Sequence, residues 1–198
     1  STFLIEIPAM IAITVVLIVM GRTGGKITLV EGIILWVIFI AYLVYLFYLA
    51  KNQKDEEVKV ETSAWKLLFL MILGGVMVVG GSNVAVDSAT KIAEMLGLSE
   101  RFIGLTIVAL GTSLPELITS VTAARKGNAD IAIGNIVGSN IFNILFVIGT
   151  SALITPVPYQ SAFIIDGFVA IAAGVLLWIS VAKTRKLTRP WGAVMLVG

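Results

Sequence analysis

The stretch Gly104-Leu-Thr-Ile-Val-Ala-Leu-Gly-Thr-Ser-Leu-Pro-Glu116, followed by Gly134-Asn-Ile-Val-Gly-Ser-Asn-Ile-Phe-Asn143, places polar groups inside two otherwise apolar runs. It contains a carboxylate, hydroxyls, amides and a helix-breaking proline. Polar groups buried in lipid are costly, so a cluster of them is by default a functional site. All the ligand atoms it offers are oxygens, which suit hard cations such as Na⁺ and Ca²⁺. The stretch therefore predicts a cation site within a membrane.

The composition indicates an integral membrane protein. Of the 198 residues, 58% are hydrophobic and 13% are charged, whereas a soluble domain carries roughly 25% charged residues. The mean hydropathy is +1.03. Cysteine and histidine are both absent, which excludes disulfides, thiolate catalysis and Cys/His zinc sites. The net charge of +2 does not suggest a nucleic acid partner. With no nucleophile–base pair and no phosphate-binding glycine loop, we expect neither an enzyme nor a cofactor.

Six apolar runs are long enough to cross a bilayer, which needs about 20 residues per helix. Strands are not expected, because only helices and closed barrels satisfy the backbone in lipid. The sequence thus predicts an all-α, polytopic transmembrane helix bundle. The predicted helices cover residues 2–20, 30–50, 65–86, 102–124, 131–155 and 162–182. A seventh begins near Pro190 and is too short to span before Gly198.

Basic residues predict the orientation. Ten lysines and arginines lie in or beside the linkers at 51–66, 125–126 and 183–189, against four on the opposite side. The positive-inside rule places the ten in the cytoplasm. The linker at 51–64 is therefore predicted to be cytoplasmic.

A short internal match suggests an inverted repeat. Lys26-Ile-Thr-Leu-Val-Glu-Gly32 resembles Lys186-Leu-Thr-Arg-Pro-Trp-Gly192, at an offset of 160 residues. Five predicted helices separate the copies, so they lie on opposite membrane faces, as in many secondary transporters. Chance remains an alternative explanation of so short a match. A true repeat would place the counterpart of residues 66–160 upstream of Ser1. The chain also begins almost inside an apolar run, which suggests a fragment.

One face of the fourth predicted helix carries four candidate ligands, because positions three and four apart in a helix are neighbours. They are Ala109, Thr112, Ser113 and Glu116. Pro115 has no amide hydrogen and its ring clashes with the Gly111 carbonyl, which frees carbonyls to face a cation. A proline kink with Thr112 and Ser113 bonded back to the backbone is the alternative. It leaves Glu116 unexplained, except as a protonated acid, because no Arg, Lys or His lies in the apolar runs.

The fifth predicted helix carries a polar stripe at i, i+4 and i+8, formed by Asn135, Ser139 and Asn143. Ser139 and Asn143 are expected to meet Glu116 from a facing helix. Hydrogen bonding between helices is the alternative role for the stripe. Gly134 and Gly138 form a small-xxx-small pattern, which predicts close helix packing.

Other residues receive structural interpretations. Glu6, Glu31 and Asp87 lie near predicted helix ends and are expected at the membrane interface. The pairs Gly74-Gly75 and Gly80-Gly81 are expected to allow close helix packing.

The two motifs GLTIVALGTSLPELITS and GNIVGSNIFNILFVIG closely resemble the second α-repeat of the cation/Ca²⁺ exchanger superfamily, in its prokaryotic sodium/calcium exchanger branch. Residues 1–50 resemble the fourth and fifth of that family's ten helices, and 51–64 the loop joining its halves. Residues 65–198 resemble the second half, with the α-repeat at about 102–155 and the last helix truncated.

The resemblance implies an antiporter that uses a Na⁺ gradient to expel Ca²⁺ by alternating access. It implies an integral protein of a prokaryotic cell (inner) membrane, in an inverted-repeat fold. The matching ligands are the Ala109 carbonyl with Thr112, Ser113 and Glu116, and, on the next helix, Ser139 and Asn143. The transported ions Na⁺ and Ca²⁺ and the lipid bilayer are the implied partners.

Two departures from the family matter. Some members carry Asp where this chain has Asn143. Because Asn is neutral, this half of the site has one charge fewer, which leaves the ion stoichiometry and any K⁺ dependence open. The family's first three helices, with the glutamate that partners Glu116, are absent. We therefore expect no transport by this chain alone, unless the missing N-terminal helices or a second copy complete it. H⁺/Ca²⁺ exchange, a channel and a non-transporting membrane fragment are the alternatives.

Overall fold

The computed structural model describes residues 2–52, 63–182 and 187–197. These residues are mostly helical, as predicted. The helices are α1 (Thr2–Gly24), α2 (Leu29–Asn52), α3 (Ala64–Met95), α4 (Glu100–Ile103), α5 (Ala109–Thr112), α6 (Leu114–Arg125), α7 (Ala129–Phe142), α8 (Gly149–Ile154), α9 (Ala162–Ala182) and α10 (Arg189–Val197). A first π segment (Gly104–Val108) joins α4 to α5, and a second (Asn143–Ile148) joins α7 to α8.

Within the described ranges, five helices are long and apolar enough to cross a membrane, or up to six if one bent pair counts as a span. Apart from that bend, this agrees with the six predicted spans. Helix α3 continues past the predicted end at Val86 to Met95, because no glycine or proline interrupts it before Gly97. Gly97 has a φ of +75°, and the Leu98 amide donates to the Ala93 carbonyl at 3.1 Å. These two features form a Schellman motif that ends the helix. Asp87 therefore lies inside α3.

The chain divides into two compact units. The first unit contains residues 1–54 and 127–198, and the second contains residues 55–126. Most of the predicted linker, residues 53–62, lies outside the described residues. The division of the chain at residues 51–64 stays a prediction.

In the first unit, α1 packs against α9 and α7. Small residues allow the approach, as is common between membrane helices. A Cβ atom at Gly174 would lie 3.0 Å from Cγ1 of Ile11, and one at Gly167 would lie 2.6 Å from Cδ1 of Ile18. The centre of this unit is a set of fully buried side chains. They are Ile7, Ile27, Leu35, Val137, Ile141, Leu145 and Val181.

Helix α2 packs against α8 and the second π segment. A Cβ atom at Gly32 would lie 3.0 Å from the Gly149 carbonyl oxygen, so this contact depends on glycine. Beside it, four aromatic rings form a cluster with centroids 4.7 to 5.9 Å apart. They belong to Trp36, Phe39, Phe142 and Phe146.

A hydrogen bond between α2 and α8 supplies a first test of this packing. The Nε1–H of Trp36 donates to Oγ1 of Thr150 at 3.2 Å. We expect Thr150→Val to lower the free energy of unfolding by about 0.6 kcal/mol, the average for hydrogen bonds between membrane helices. Denaturant titration in detergent measures it. The control is Ser151→Ala, since Ser151 donates only to the Val147 carbonyl of its own chain segment; equal losses in both variants would contradict the bond between helices.

The loops of the first unit contain features that periodicity did not predict. Two-residue strands β1 (Lys26–Ile27) and β2 (Val157–Pro158) pair antiparallel. Glu31 Oε2 accepts hydrogen bonds from the Thr28 amide at 2.7 Å and the Thr28 hydroxyl at 2.9 Å. This is a capping arrangement at the start of α2, so Glu31 has a local structural role.

In the second unit, α3 packs against the first π segment, α5 and α6. The contact is closest at Gly111, where an added Cβ would overlap the Cγ2 methyl of Val86 and lie 3.1 Å from its Cβ. The glycines predicted to pack closely are elsewhere: a Cβ at any of them meets no heavy atom within 4 Å in the described structure. They are Gly74, Gly75, Gly80, Gly81, Gly134 and Gly138. That packing prediction is wrong for contacts within the described chain.

Candidate cation site

The predicted kink is a full break between two helices. Helix α5 ends at Thr112 and α6 begins at Leu114, and the segments Thr106–Thr112 and Leu114–Arg125 are bent by 52°. Ser113 lies between them with φ −93° and ψ −2°, in the sparsely populated bridge region. Pro115 occupies the first turn of α6, where a missing amide hydrogen is tolerated. The proline therefore opens a new helix, rather than kinking one continuous helix over residues 102–124.

Glu116 lies in the first turn of α6. The positive end of a helix dipole favours a carboxylate at this position. The side chain is half-buried, and its Oε2 atom is shielded from solvent. The break thus places an acid beside a helix N-terminus within a segment apolar enough to cross a membrane.

The hydroxyl of Thr112 donates to its own backbone, as expected under the alternative interpretation of a simple proline kink. Its Oγ1 donates to the Ala109 carbonyl at 2.9 Å. This bond does not exclude ion binding, because a donating hydroxyl keeps two lone pairs and a carbonyl has a second one. Thr112, Ser113 and Ala109 are all exposed in the chain. Three predicted ligands are therefore accessible residues of the bent segment.

Both π segments adjoin candidate ligands. The Ala109 amide donates to the Gly104 carbonyl, five residues earlier, so the first π segment runs directly into the ligand-bearing α5. The second π segment begins at Asn143. Such π-bulges are rare and are frequent at functional sites. No composition marks a π turn, so the sequence offered no signal for either.

The other predicted ligands lie in the first unit. Ser139 is half-buried on α7 and donates to the Ile136 carbonyl at 3.1 Å. Asn143, where α7 ends, is exposed. The structure thus places four candidate ligands together on one bent segment of the second unit and two on α7 and its end. That both sets bind one ion stays a prediction.

The site has few charges. Among the described residues, no three acidic, histidine or cysteine side chains cluster as a metal centre. One carboxylate among neutral oxygens is a weaker counter-charge than the several carboxylates of a tight calcium site.

Glu6 is a further acid, close to the start of a span, and its expected interfacial position stays a prediction. It is only 7% exposed, on the apolar span Ile5–Gly24. It borders a cavity of about 360 Å³ with Tyr42, Gly134 and Gly138. The burial of Glu6 was not predicted from its position near a helix end, because residues of α2 and α7 provide that burial.

The sequence pattern of the family described as "Sodium/calcium exchanger protein" matches residues 66–198. The chain belongs to the sodium/calcium exchanger family. The predicted family and the all-α, polytopic membrane fold are thereby confirmed. The bent segment and the α7 stripe both lie inside the matched range.

Individual relatives agree with this assignment. The inner membrane protein YrbG of Escherichia coli is 35% identical over 192 residues, covering 87% of this chain and 58% of the relative. The sodium/calcium exchanger MaX1 of Methanosarcina acetivorans is 42% identical over 111 residues, covering 56% of this chain and 32% of the relative.

A solved exchanger has the same fold. The sodium-calcium exchanger NCX_Mj, soaked with Na⁺ and Sr²⁺, matches with a TM-score of 0.78 and 31% identity, over 97% of this chain and 62% of that one. The chain therefore spans only about a third to three fifths of the length of these exchanger-family relatives. The protein is an integral, multi-pass membrane protein of this family.

Proposed function

We propose that this protein is a secondary antiporter that exchanges Na⁺ for Ca²⁺ across a membrane by alternating access. The proposed ligands are the Ala109 carbonyl, Thr112, Ser113 and Glu116 on the bent segment. Ser139 and Asn143 are proposed as a second ligand set. The relatives named as sodium/calcium exchangers support the pair of ions.

The observation that carries the proposal is the break at Ser113, with Glu116 in the first turn after it. A carboxylate within a membrane span is costly unless it is paired or binds a cation or proton. The break also releases backbone carbonyls, which α-helices otherwise keep occupied. Oxygen ligands of this kind suit both Na⁺ and Ca²⁺.

Competition for one carboxylate provides the coupling. A Ca²⁺ ion needs the full charge of Glu116, while Na⁺ ions can share it with neutral oxygens. The two ions therefore exclude each other at the same oxygens, and each leaves when the other is in excess. A site that is occupied in turn from each side of the membrane then exchanges one ion for the other.

The ligand-bearing face needs more protein than these 198 residues. Four of the six proposed ligands are exposed in this chain, although polar groups facing lipid are costly. The solved relative has a longer chain, of which this one covers 62%. We propose that further helices, or a second copy of the chain, cover this face.

The test is Ca²⁺ uptake by proteoliposomes that contain the whole gene product. One set receives an outward Na⁺ gradient at equal pH, and the other receives an outward H⁺ gradient without Na⁺. Uptake that follows the Na⁺ gradient supports Na⁺/Ca²⁺ exchange. Uptake that follows only the pH gradient would instead make Glu116 a proton carrier, and no uptake would contradict both forms of exchange.

The charge of the second ligand set can be tested separately. Asn143→Asp adds a carboxylate, and Ca²⁺ affinity rises with the number of charged ligands. We expect the external Ca²⁺ concentration for half-maximal uptake to fall severalfold. The control is Asn140→Asp, since Asn140 donates to the Ile136 carbonyl of α7 and is not a proposed ligand. An unchanged Ca²⁺ dependence in Asn143→Asp would remove Asn143 from the ligand set.

A further inference from the structure

A buried serine on α3 has no role in the site described so far. Ser82 is only 4% exposed, and its Oγ has no hydrogen-bond partner in the described structure. Leaving a buried hydroxyl without a partner costs about 1–3 kcal/mol. Such a cost is sustained where the group serves another purpose.

Other hydroxyls in these helices avoid that cost locally. Ser88, on the same helix, donates to the Val84 carbonyl at 2.7 Å, and Thr14 donates to the Met10 carbonyl at 2.9 Å. Bonds of this type, to a carbonyl four residues earlier, are the usual solution in membrane helices. Ser82 does not make one, so its hydroxyl is available to something other than its own helix.

Helix geometry places Ser82 beside the break. Ser82 and Val86 are four residues apart and share a face of α3, and Val86 contacts Gly111. Because a short turn joins α3 to α4, the two helices run in opposite directions. Since α3 packs against both α5 and α6, one turn back along α3, about 6 Å, leads from Gly111 to the level of the break between them.

The same level contains a carbonyl released by the break. In a continuous helix, the amide of residue 115 would donate to the Gly111 carbonyl, but proline has no amide hydrogen. The Ser113 amide contacts the Gly111 carbonyl two residues earlier, and a carbonyl oxygen has a second lone pair for another partner. Helix geometry thus places a hydroxyl from α3 and a carbonyl from α5 next to the same break.

We propose that the Ser82 hydroxyl and the Gly111 carbonyl are additional ligands for Na⁺ at the bend between α5 and α6. Both atoms are neutral oxygens, and oxygen ligands suit hard cations. Ca²⁺ depends more strongly on charged ligands, so these oxygens favour Na⁺ over Ca²⁺. The inference rests on the proposed exchange function and adds a residue of α3 that sets ion preference.

The test compares Ser82→Ala with Ser82→Thr, which keeps the hydroxyl, and with Ser88→Ala as the control on the same helix. We expect Ser82→Ala to raise the Na⁺ concentration that half-inhibits Ca²⁺ uptake by about 2–10-fold, from the loss of one neutral polar contact. In the absence of Na⁺, the Ca²⁺ concentration for half-maximal uptake should stay within about twofold of the wild-type value. The half-inhibiting Na⁺ concentration of Ser82→Thr should lie closer to the wild-type value, and that of Ser88→Ala should equal the wild-type value.

A second readout separates this inference from the exchange proposal. The midpoint of thermal unfolding in detergent is measured in Na⁺ and in choline, and Ser82→Ala should reduce the stabilisation by Na⁺ but not that by Ca²⁺. If Na⁺ stabilisation depends on Ser82 while vesicles show no exchange, the function proposal fails and the ligand assignment stands. If Ser82→Ala shows the wild-type Na⁺ dependence in both assays, or loses Na⁺ and Ca²⁺ effects equally, Ser82 has only a structural or water-binding role and the inference is overturned.

Discussion

Glu116→Gln is expected to abolish Ca²⁺ uptake driven by a Na⁺ gradient. The substitution keeps the size of the side chain and removes the one charge of the bent segment that can balance a divalent ion. Taking one partner from a buried charge pair costs about 3–5 kcal/mol, which corresponds to about 10²–10⁴-fold weaker Ca²⁺ binding. Initial rates of Ca²⁺ uptake, measured over a range of Ca²⁺ concentrations, provide the check.

Two variants make this expectation specific. Glu94→Gln removes the same charge from the exposed end of α3 and should transport normally. Glu116→Asp keeps the charge on a shorter side chain and should retain partial uptake with weaker Ca²⁺ binding. Normal uptake by Glu116→Gln, in protein that unfolds at the wild-type temperature, would exclude Glu116 as an ion ligand.

Gly111→Ala is expected to produce the largest loss of stability from a single methyl group in the second unit. An added Cβ overlaps the Cγ2 methyl of Val86 and lies 3.1 Å from Cβ of Val86, so α3 and α5 must separate or distort. Overpacking of this kind costs about 1–3 kcal/mol. Because α5 carries Ala109 and Thr112, uptake should fall together with the unfolding temperature.

The second substitution Val86→Ala tests the cause. It removes the overlapping methyl, so the double variant Gly111→Ala with Val86→Ala should recover most of the lost stability. The interaction energy between the two positions is then measured by a double-mutant cycle. Gly74→Ala is the matched control, since a Cβ at Gly74 meets no heavy atom within 4 Å. Strictly additive losses would show that Val86 does not constrain Gly111.

The sequence was sufficient for the helical class and for a break next to Pro115. Lengths of apolar runs decide membrane spans because the bilayer has a fixed thickness, and α9 ends where it was predicted. Pro115 and Glu116 marked the break because proline lacks a donor and a buried acid is costly. These features depend on local chemistry, which a sequence contains directly.

What the sequence left out depends on contacts between distant segments. Small residues were recognised as packing positions, yet within the described ranges Gly111 and Gly174 make close contacts while Gly134 and Gly138 do not. Composition cannot distinguish them, because the difference lies in which helix approaches. The burial of Glu6 was not predicted for the same reason, since α2 and α7 line the cavity beside it.

The local backbone geometry and hydrogen bonding at the site were also not predictable from the sequence. The break at Ser113, between two separate helices, replaced the expected kink because Pro115 fits the first turn of a new helix. Ser82 drew no attention, since a serine in a membrane helix normally bonds to its own backbone. Only the hydrogen bonds of the folded chain distinguish it from Ser88.

The most direct test of the account is the simultaneous measurement of Ca²⁺ entry and Na⁺ exit in proteoliposomes that contain the gene product, with Glu116→Gln in parallel. Ca²⁺ is expected to enter only while Na⁺ leaves, in a fixed ratio, and both fluxes are expected to vanish in Glu116→Gln. Ca²⁺ entry without Na⁺ exit, or coupled fluxes that persist in Glu116→Gln, would contradict it.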